Sequence, residues 1–293
     1  MSRPLYLIDA SVYVFRAWFS IPDTVTDAEG NGANALFGFG SFLCDVLERE
    51  RPEHVLCAFD ESLTSSFRND MYPAYKANRP LPPPDLERQF RLCRAFAEAV
   101  GVKTLASDRY EADDLIGSAA ARFRDEGFRM VYVTADKDYA QLIEDRDQWW
   151  DAARGRRLDA GGVASALGVE PRQVADLLGL AGDAVDNIPG VPGIGRKTAV
   201  GLLTALDTLE AIYGDLDRVS QLPLRGAARV RRLLGEHREQ AFLSRDLTRI
   251  CCDAPLECEA ADLAWRSGDA TGDLESLALP VQLRSRARRL AEA

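Results

Sequence analysis

Met130-Val131-Tyr132-Val133-Thr134-Ala135-Asp136-Lys137-Asp138 joins an apolar run to a pair of carboxylates. The run reads as a buried strand, and the acids follow at its C-terminal end. Two other stretches repeat the arrangement: Leu5-Tyr6-Leu7-Ile8 leads into Asp9, and Val55-Leu56-Cys57-Ala58-Phe59 leads into Asp60. Three predicted strands therefore deliver acid at the same end, and open parallel sheets bind ligands in the crevice outside those ends. A second acidic cluster, Glu111-Ala112-Asp113-Asp114, lies upstream of Asp136. Oxygen ligands gathered without thiolate or imidazole partners suit hard cations such as magnesium or manganese, which points to metal-assisted phosphoryl chemistry.

Outward from these stretches, the first half of the chain alternates. A strand ends at Asp9; helical patterns cover 33–50, 85–100 and 112–126; strands cover 54–60 and 129–134. Such alternation predicts an α/β fold, a mostly parallel twisted sheet with helices on both faces. Residues 62–84 fit neither period: they carry Phe67, Arg68, Tyr72, Tyr75, Lys76 and Arg79, then Pro80 and Pro82-Pro83-Pro84. A loop of this length inside a domain is usually functional or disordered. From Val169 onward strand signals fade, and Gln173 to Leu178 and residues 196–206 read as helices around a turn-rich segment. The predicted organisation is an α/β metal-binding domain over 1–168, a helical domain over 169–260 and an extension over 261–293.

The length of 293 residues accommodates this division. No apolar run approaches the roughly 18 residues needed to cross a bilayer, so a cytoplasmic protein without membrane contact is expected. Six cysteines lack paired zinc spacing and are expected to be reduced thiols, and two histidines leave little room for imidazole catalysis. The net charge of −10 argues against a nucleic-acid partner. If Asp9, Asp60, Glu111, Asp113, Asp114, Asp136, Asp138, Asp183 and Asp186 share a metal site, however, they account for nearly all of that excess, and local basic patches decide the partner.

Ile116, Ala119, Ala120 and Phe123 form an apolar helical stripe that Asp113 extends by one turn. A carboxylate on a core-facing stripe is expensive unless paired or bound to metal. Glu111 and Asp114 are better explained as acids favouring a helix N-terminus. Asp183 and Asp186 read either as turn formers or as further ligands. Beyond them, Gly190-Val191-Pro192-Gly193-Ile194-Gly195-Arg196-Lys197-Thr198 is a glycine hairpin opening a helix. It can set bare backbone N–H groups, Arg196 and Lys197 against a phosphate.

These segments resemble the 5′ nuclease (flap endonuclease) family, which includes the 5′-3′ exonuclease domain of bacterial DNA polymerase I and stand-alone homologues such as exonuclease nine. The resemblance rests on residues 110–115, 134–138, 182–190 and 193–199, with Tyr72-Pro73-Ala74-Tyr75-Lys76-Ala77-Asn78-Arg79 between them, and runs from Asp9 to about Arg249. It implies two or more divalent ions, an arch at about 62–84, and a helix-three-turn-helix domain that grips duplex DNA with a potassium ion. Asp9, Asp60, Glu111 and Asp113 correspond to one metal group, with Asp114 shared or acting through water. Asp136, Asp138, Asp183 and Asp186 correspond to the other. The potassium ligands would be the backbone carbonyls of Leu180, Ala181, Pro189, Val191 and Ile194. Arg68, Gly193, Gly195, Arg196, Lys197 and Thr198 would meet DNA, and Gly193→Val is expected to weaken duplex binding.

The implied activity is structure-specific 5′-3′ exonuclease and flap endonuclease cleavage in DNA replication or repair, by a two-metal scheme. The expected substrate is DNA with a 5′ flap or a 5′ end at a duplex junction, handled by a monomer with polymerase and ligase acting in trans. Lys76 and Arg79 would neutralise the scissile phosphate and Tyr75 would stack on an unpaired base. For Phe67 and Tyr72 a local packing role is the alternative. Arg225, Arg229, Arg231, Arg232 and Arg238 form a basic strip that is either a solvated helix face or a phosphate contact. A non-catalytic DNA-junction binder and a PIN-like ribonuclease are the rival functions.

Overall fold

Each core strand is apolar on both faces, so it can only lie inside a sheet covered on both sides. The computed structural model, which describes residues 2–61, 65–266, 274 and 276–292, has that sheet. Its strands are β1 (Arg3–Asp9), β2 (Val55–Asp60), β3 (Lys103–Ser107), β4 (Phe128–Val133), β5 (Gln148–Asp151) and β6 (Arg156–Leu158), in the order β3-β2-β1-β4-β5-β6. All neighbours are parallel except β5 and β6. Leu7 pairs with Leu56 on one side and with Tyr132 on the other, which sets the three acid-bearing ends level.

Alternate residues of β1 enter opposite layers. Tyr6 and Ile8 pack with α1 (Ala10–Ser20), α2 (Asn34–Glu50) and α4 (Pro84–Ala99), while Leu5 and Leu7 pack with α5 (Ala112–Asp125) and the helical domain behind it. Between β2 and α4 stands the short helix α3 (Phe67–Met71), capped by Ser66, whose side chain accepts the Arg68 N–H. After α6 (Ala160–Leu167) the chain is helical: α7 (Val174–Ala181), α8 (Arg196–Leu206), α9 (Leu209–Gly214), α10 (Leu216–Val219), α11 (Ala227–Glu236) and α12 (Arg238–Thr248). The last helix, α13 (Val281–Glu292), returns to α2, where Arg286 pairs with Asp45 and Glu48.

The sequence leaves several elements unread. Residues 10–20 are crowded with Val12, Tyr13, Val14, Phe15, Trp18 and Phe19, poor helix formers. Here tertiary packing and the Asp9 cap, whose Oδ1 accepts the Val12 N–H at 3.3 Å, impose α1. Nor is the 62–84 segment irregular throughout: it contains α3 and a series of turns, and Pro84 starts α4 instead of stopping structure, as suits the first helical position. Residues 62–64 lie outside the described part. The antiparallel β5–β6 hairpin carries cation–π contacts, Arg156 over Trp149 and Arg157 over Trp150. All six cysteines are free thiols, as expected. Among the described residues no helix is long and apolar enough to cross a membrane.

The two domains meet along α5. Gly117 lies so close to the segment after α12 that a Cβ there would stand 2.6 Å from Ile250 Cγ2 and 2.9 Å from the Cys251 carbonyl oxygen. Gly117→Val should therefore overpack this contact and lower stability by about 1–3 kcal/mol in urea unfolding. An unchanged midpoint would mean that α5 and the helical domain do not pack this closely.

Candidate active site

A carboxylate at a strand end is held by whatever the next turn offers, and each acid here is held differently. Asp9 is buried: Oδ1 caps α1, and Oδ2 accepts the Thr134 hydroxyl at 3.0 Å. Burial, reinforced by the negative charges of Asp60 and Asp136, pushes its carboxyl up to about 7. The Asp60 Oδ1 accepts the Ala112 N–H at 2.8 Å, joining the end of β2 to the start of α5, and burial followed by Glu111 raises its carboxyl too. Asp136 caps the turn after β4 and accepts the Asp138 N–H at 2.9 Å. Burial first, then Asp136, pushes the Asp138 carboxyl up to about 8, with Asp183 and Asp186 adding to the repulsion. The loop after α7 thus brings its two acids to those of the sheet.

On α5 the roles differ from those read in the sequence. The helix is sandwiched between the sheet and the helical domain, so its burial extends well beyond one stripe, and Asp114, with no exposure, is its buried acid. Asp113 is half-buried. Oxygens of Glu111, Asp113 and Asp114 lie within 4.8 Å of one another. Asp114 is nonetheless committed: Oδ1 accepts from Arg68 Nη2 at 2.8 Å and the Cys251 N–H at 2.8 Å, and Oδ2 accepts from Arg68 Nη1 at 2.7 Å and the Glu111 N–H at 3.1 Å. A carboxylate offers about four lone-pair sites, and all are taken. Asp114 thus has no free lone pair for direct sharing of an ion here, which leaves the expected role through water, and its oxygens still lie with those of Glu111 and Asp113.

Arg68 is also corrected. It is buried beside Asp114 and cannot reach DNA, because its charge is needed inside to neutralise the α5 acids. Tyr75 likewise cannot stack on a base in this conformation. Its ring is 5% exposed, packed with Ile188 and Leu247, and its hydroxyl donates to Glu111 Oε2 at 2.9 Å. The packing alternative holds for Phe67, which lies 5.6 Å from Tyr110, and for Tyr72, which joins the cluster around Tyr75.

Lys76 and Arg79 do stand in the site. Lys76 pairs with Glu111 and lies 3.8 Å from Asp186, to which Arg79 also pairs. Burial would raise the Glu111 carboxyl, but Lys76 and then Arg68 outweigh it and hold it below the usual carboxylate range. The arch is tied to the loop after α7 by its backbone too: the Lys76 N–H donates to the Asp186 carbonyl at 3.0 Å, and Asn187 Nδ2 donates to the Ala74 carbonyl at 2.6 Å. Between the arch and α1 a cleft of about 340 Å3 is lined by Phe15, Asp60, Lys76, Arg79, Leu81 and Glu111. Sequence reading missed Phe15, which becomes visible only once residues 10–20 are recognised as a helix starting at Asp9. It also missed Tyr139, whose buried hydroxyl has no partner among the described residues.

In the hairpin, Gly195 caps α8, Arg196 and Lys197 are exposed, and the Thr198 N–H bonds the Gly195 carbonyl. Gly193 has φ +83°, and a Cβ on it would meet Arg229 Nη2 at 3.0 Å and Leu233 Cδ1 at 3.2 Å. Gly193→Val would thus be strained whether or not DNA approaches, so it does not isolate the duplex contact. Gly195 has open space around its Cβ position. Leu180 and Val191 each give one carbonyl lone pair to a backbone N–H, from Val191 at 2.8 Å and Ile194 at 2.9 Å, and keep the other.

The Asp138 shift has a thermodynamic consequence. A carboxyl raised above its unfolded value binds more protons when folded, so the contribution of Asp138 to metal-free stability falls as pH rises from about 4 through about 8. Asp138→Asn in EDTA should be more stable than the parent at pH 8, by at least the roughly 1.4 kcal/mol of one pKa unit, with the gap closing towards pH 4. Thermal melts across that range check it, and a gap that widens in acid would contradict it.

Comparison with known proteins shows what the chain is similar to. Residues 4–168 match the 5′-3′ exonuclease N-terminal resolvase-like domain, and residues 169–271 match the 5′-3′ exonuclease C-terminal SAM fold. The chain is 40% identical to DNA polymerase I of Pseudomonas aeruginosa over 257 residues, 87% of this chain and 28% of the relative. It is 32% identical over 265 residues to a 5′-3′ exonuclease of Buchnera aphidicola, covering 90% of this chain and 92% of that one. The chain thus spans under a third of the length of the DNA polymerase I relatives it matches. The fold is that of T5 5′-exonuclease, solved with bound zinc, with a TM-score of 0.67 at 20% identity and 99% of both chains covered. The catalytic core of Rad2 in complex with DNA substrate gives a TM-score of 0.59 at 14% identity, covering 99% of this chain and 88% of that one. With both family domains matched in order across most of its length, the chain belongs to the 5′-3′ exonuclease family.

Proposed function

We propose that the protein is a structure-specific 5′-3′ exonuclease and flap endonuclease that hydrolyses DNA phosphodiesters with two or more divalent ions, magnesium or manganese. Asp9, Asp60, Glu111 and Asp113 would hold one group and Asp136, Asp138, Asp183 and Asp186 the other. The observation that carries the reading is the Asp138 Oδ1, which is buried with no hydrogen-bond partner among the described residues and lies amid raised carboxylates. A buried, unpaired carboxylate oxygen is costly, and the donor set is all oxygen, so a hard cation fits. Bound there, divalent ions would activate water and support the leaving oxygen. Lys76 and Arg79, which now neutralise Glu111 and Asp186, would turn to the scissile phosphate when ions take over those carboxylates.

The hairpin would take the duplex backbone through the amides around Gly195 and through Gly193, Arg196, Lys197 and Thr198. A potassium ion would fit against the carbonyls of Leu180, Ala181, Pro189, Val191 and Ile194. Two of these retain a lone pair, and the loop folds so tightly that a Gly182 Cβ would sit 2.9 Å from the Pro189 oxygen. Potassium should then tighten duplex binding more than a larger organic cation at equal ionic strength.

Two substitutions test the reading. Lys76→Ala should lower the single-turnover rate on a 5′-flap substrate by about a hundredfold or more, while duplex affinity in EDTA changes little. A junction binder would show no metal-dependent turnover in either protein, and a ribonuclease would cut an all-RNA duplex equally well. Gly195→Ala, placed in open space, should keep the fold and weaken duplex binding about tenfold, the worth of one or two lost phosphate hydrogen bonds. Unchanged affinity would make the hairpin only a turn.

A further inference from the structure

The guanidinium of Arg68 has five N–H donors, and each has a partner. Nε donates to the Leu247 carbonyl at 2.8 Å, Nη1 to Glu111 Oε2 at 3.0 Å and Asp114 Oδ2 at 2.7 Å, and Nη2 to Asp114 Oδ1 at 2.8 Å and the Arg249 carbonyl at 3.1 Å. The planar fork cannot follow one partner without losing another. Arg68 thus connects α3 at the foot of the arch, the acids of α5, and the C-terminal end of α12.

From that end of α12 the bonding continues to the hairpin. The side chains of Ser244 and Gln240, both on α12, hold Gly190: its N–H donates to Ser244 Oγ at 3.1 Å, and Gln240 Nε2 donates to its carbonyl at 2.7 Å. α12 also lies tight against α7, since a Cβ on Gly179 would stand 2.7 Å from the Arg245 Cβ. The hairpin, α7 and α12 are therefore joined as a unit, and among its contacts with the sheet domain, which include Tyr75 on Ile188 and the Cys251 N–H on Asp114, are the two carbonyls on Arg68.

We propose that Arg68 is a positioning residue that relays the placement of the hairpin to the Glu111 carboxylate, so that duplex held by the hairpin strengthens divalent-ion binding at the site. The inference rests on the reading of Glu111 as a ligand and of the hairpin as a duplex grip. Asp114 is part of the device: it fixes the guanidinium with two bonds and leaves Nη1 one hydrogen to steer Glu111. By linkage the effect is reciprocal, so divalent ions should tighten duplex binding by the same factor.

The test is calorimetric titration of Mn2+ into the full chain, alone and saturated with a dumbbell DNA closed by loops at both ends, which offers no 5′ terminus to cut. The parent should bind Mn2+ about tenfold tighter with the dumbbell present, within the usual range of coupling between sites. Arg68→Lys keeps the charge but has three donors on a flexible stem, and Ser244→Ala cuts the relay at its far end without touching the carboxylates. Both should retain dumbbell affinity in EDTA within about twofold and lose most of the tightening, to about twofold or less. If Arg68→Lys proves unfolded by circular dichroism, Ser244→Ala decides alone. Full tightening in Ser244→Ala, or in a folded Arg68→Lys, overturns the relay. A parent that cleaves 5′-flap DNA with Mn2+ yet shows no tightening also overturns it while leaving the nuclease reading in place. A parent that binds neither Mn2+ nor the dumbbell removes that reading as well.

Discussion

Carboxylates crowded at one edge of a sheet repel one another, and this repulsion is the constraint that the surrounding structure answers. Asp9, Asp60, Asp113 and Asp138 are all raised by burial together with neighbouring acids. Like charges in a low-dielectric site cannot all ionise unless cations are supplied. The protein supplies some itself: Arg68 from beneath, Lys76 and Arg79 from the arch, and Lys137, whose ammonium lies 3.6 Å from Asp183. These cations stand on the acids of α5 and of the loop after α7. Asp138 Oδ1 alone of the carboxylate oxygens is left buried without a hydrogen-bond partner among the described residues.

The same constraint explains why the arch lies where it does. Its residues 72–79 form a run of turns rather than a helix or strand, so their place above the site is set mainly by what they meet there. They are held by charge, through Glu111 and Asp186, and by hydrogen bonds to the loop after α7. An arch fixed by attraction to carboxylates is one that can be released when those carboxylates find other partners. Lys76 has φ +54°, an unusual backbone for a side chain of its size, and the ion pair with Glu111 helps offset it.

Much of this was legible in the sequence, and what was legible had short-range causes. The acids at Asp9, Asp60 and Asp136 follow apolar runs directly, so strand ends and candidate ligands could be read together. The glycine hairpin has its own turn chemistry and was equally clear. Asp113 and Asp114 were read the wrong way round, because the stripe on α5 shows one buried face, whereas the helix is covered on a second side by residues near Cys251, far along the chain. Arg68 was misassigned, and the packing of Tyr75 in this conformation missed, for a related reason. A cation and an aromatic in an irregular segment look like surface groups until the buried acids that recruit them are placed in space. The helix α1 was lost because local propensity opposed it.

The hairpin of β5 and β6 has a further consequence at the rim of the sheet. A parallel sheet ending at β5 would present a row of unpaired backbone groups beside Trp149 and Trp150, a template for another chain. Instead β6 is three residues long, runs the opposite way, and lays Arg156 and Arg157 over the two indoles. Short, charged border strands blunt end-on association between molecules. The arginines of this hairpin thus cover the indoles and put charge along the border where a strand of another chain would otherwise add.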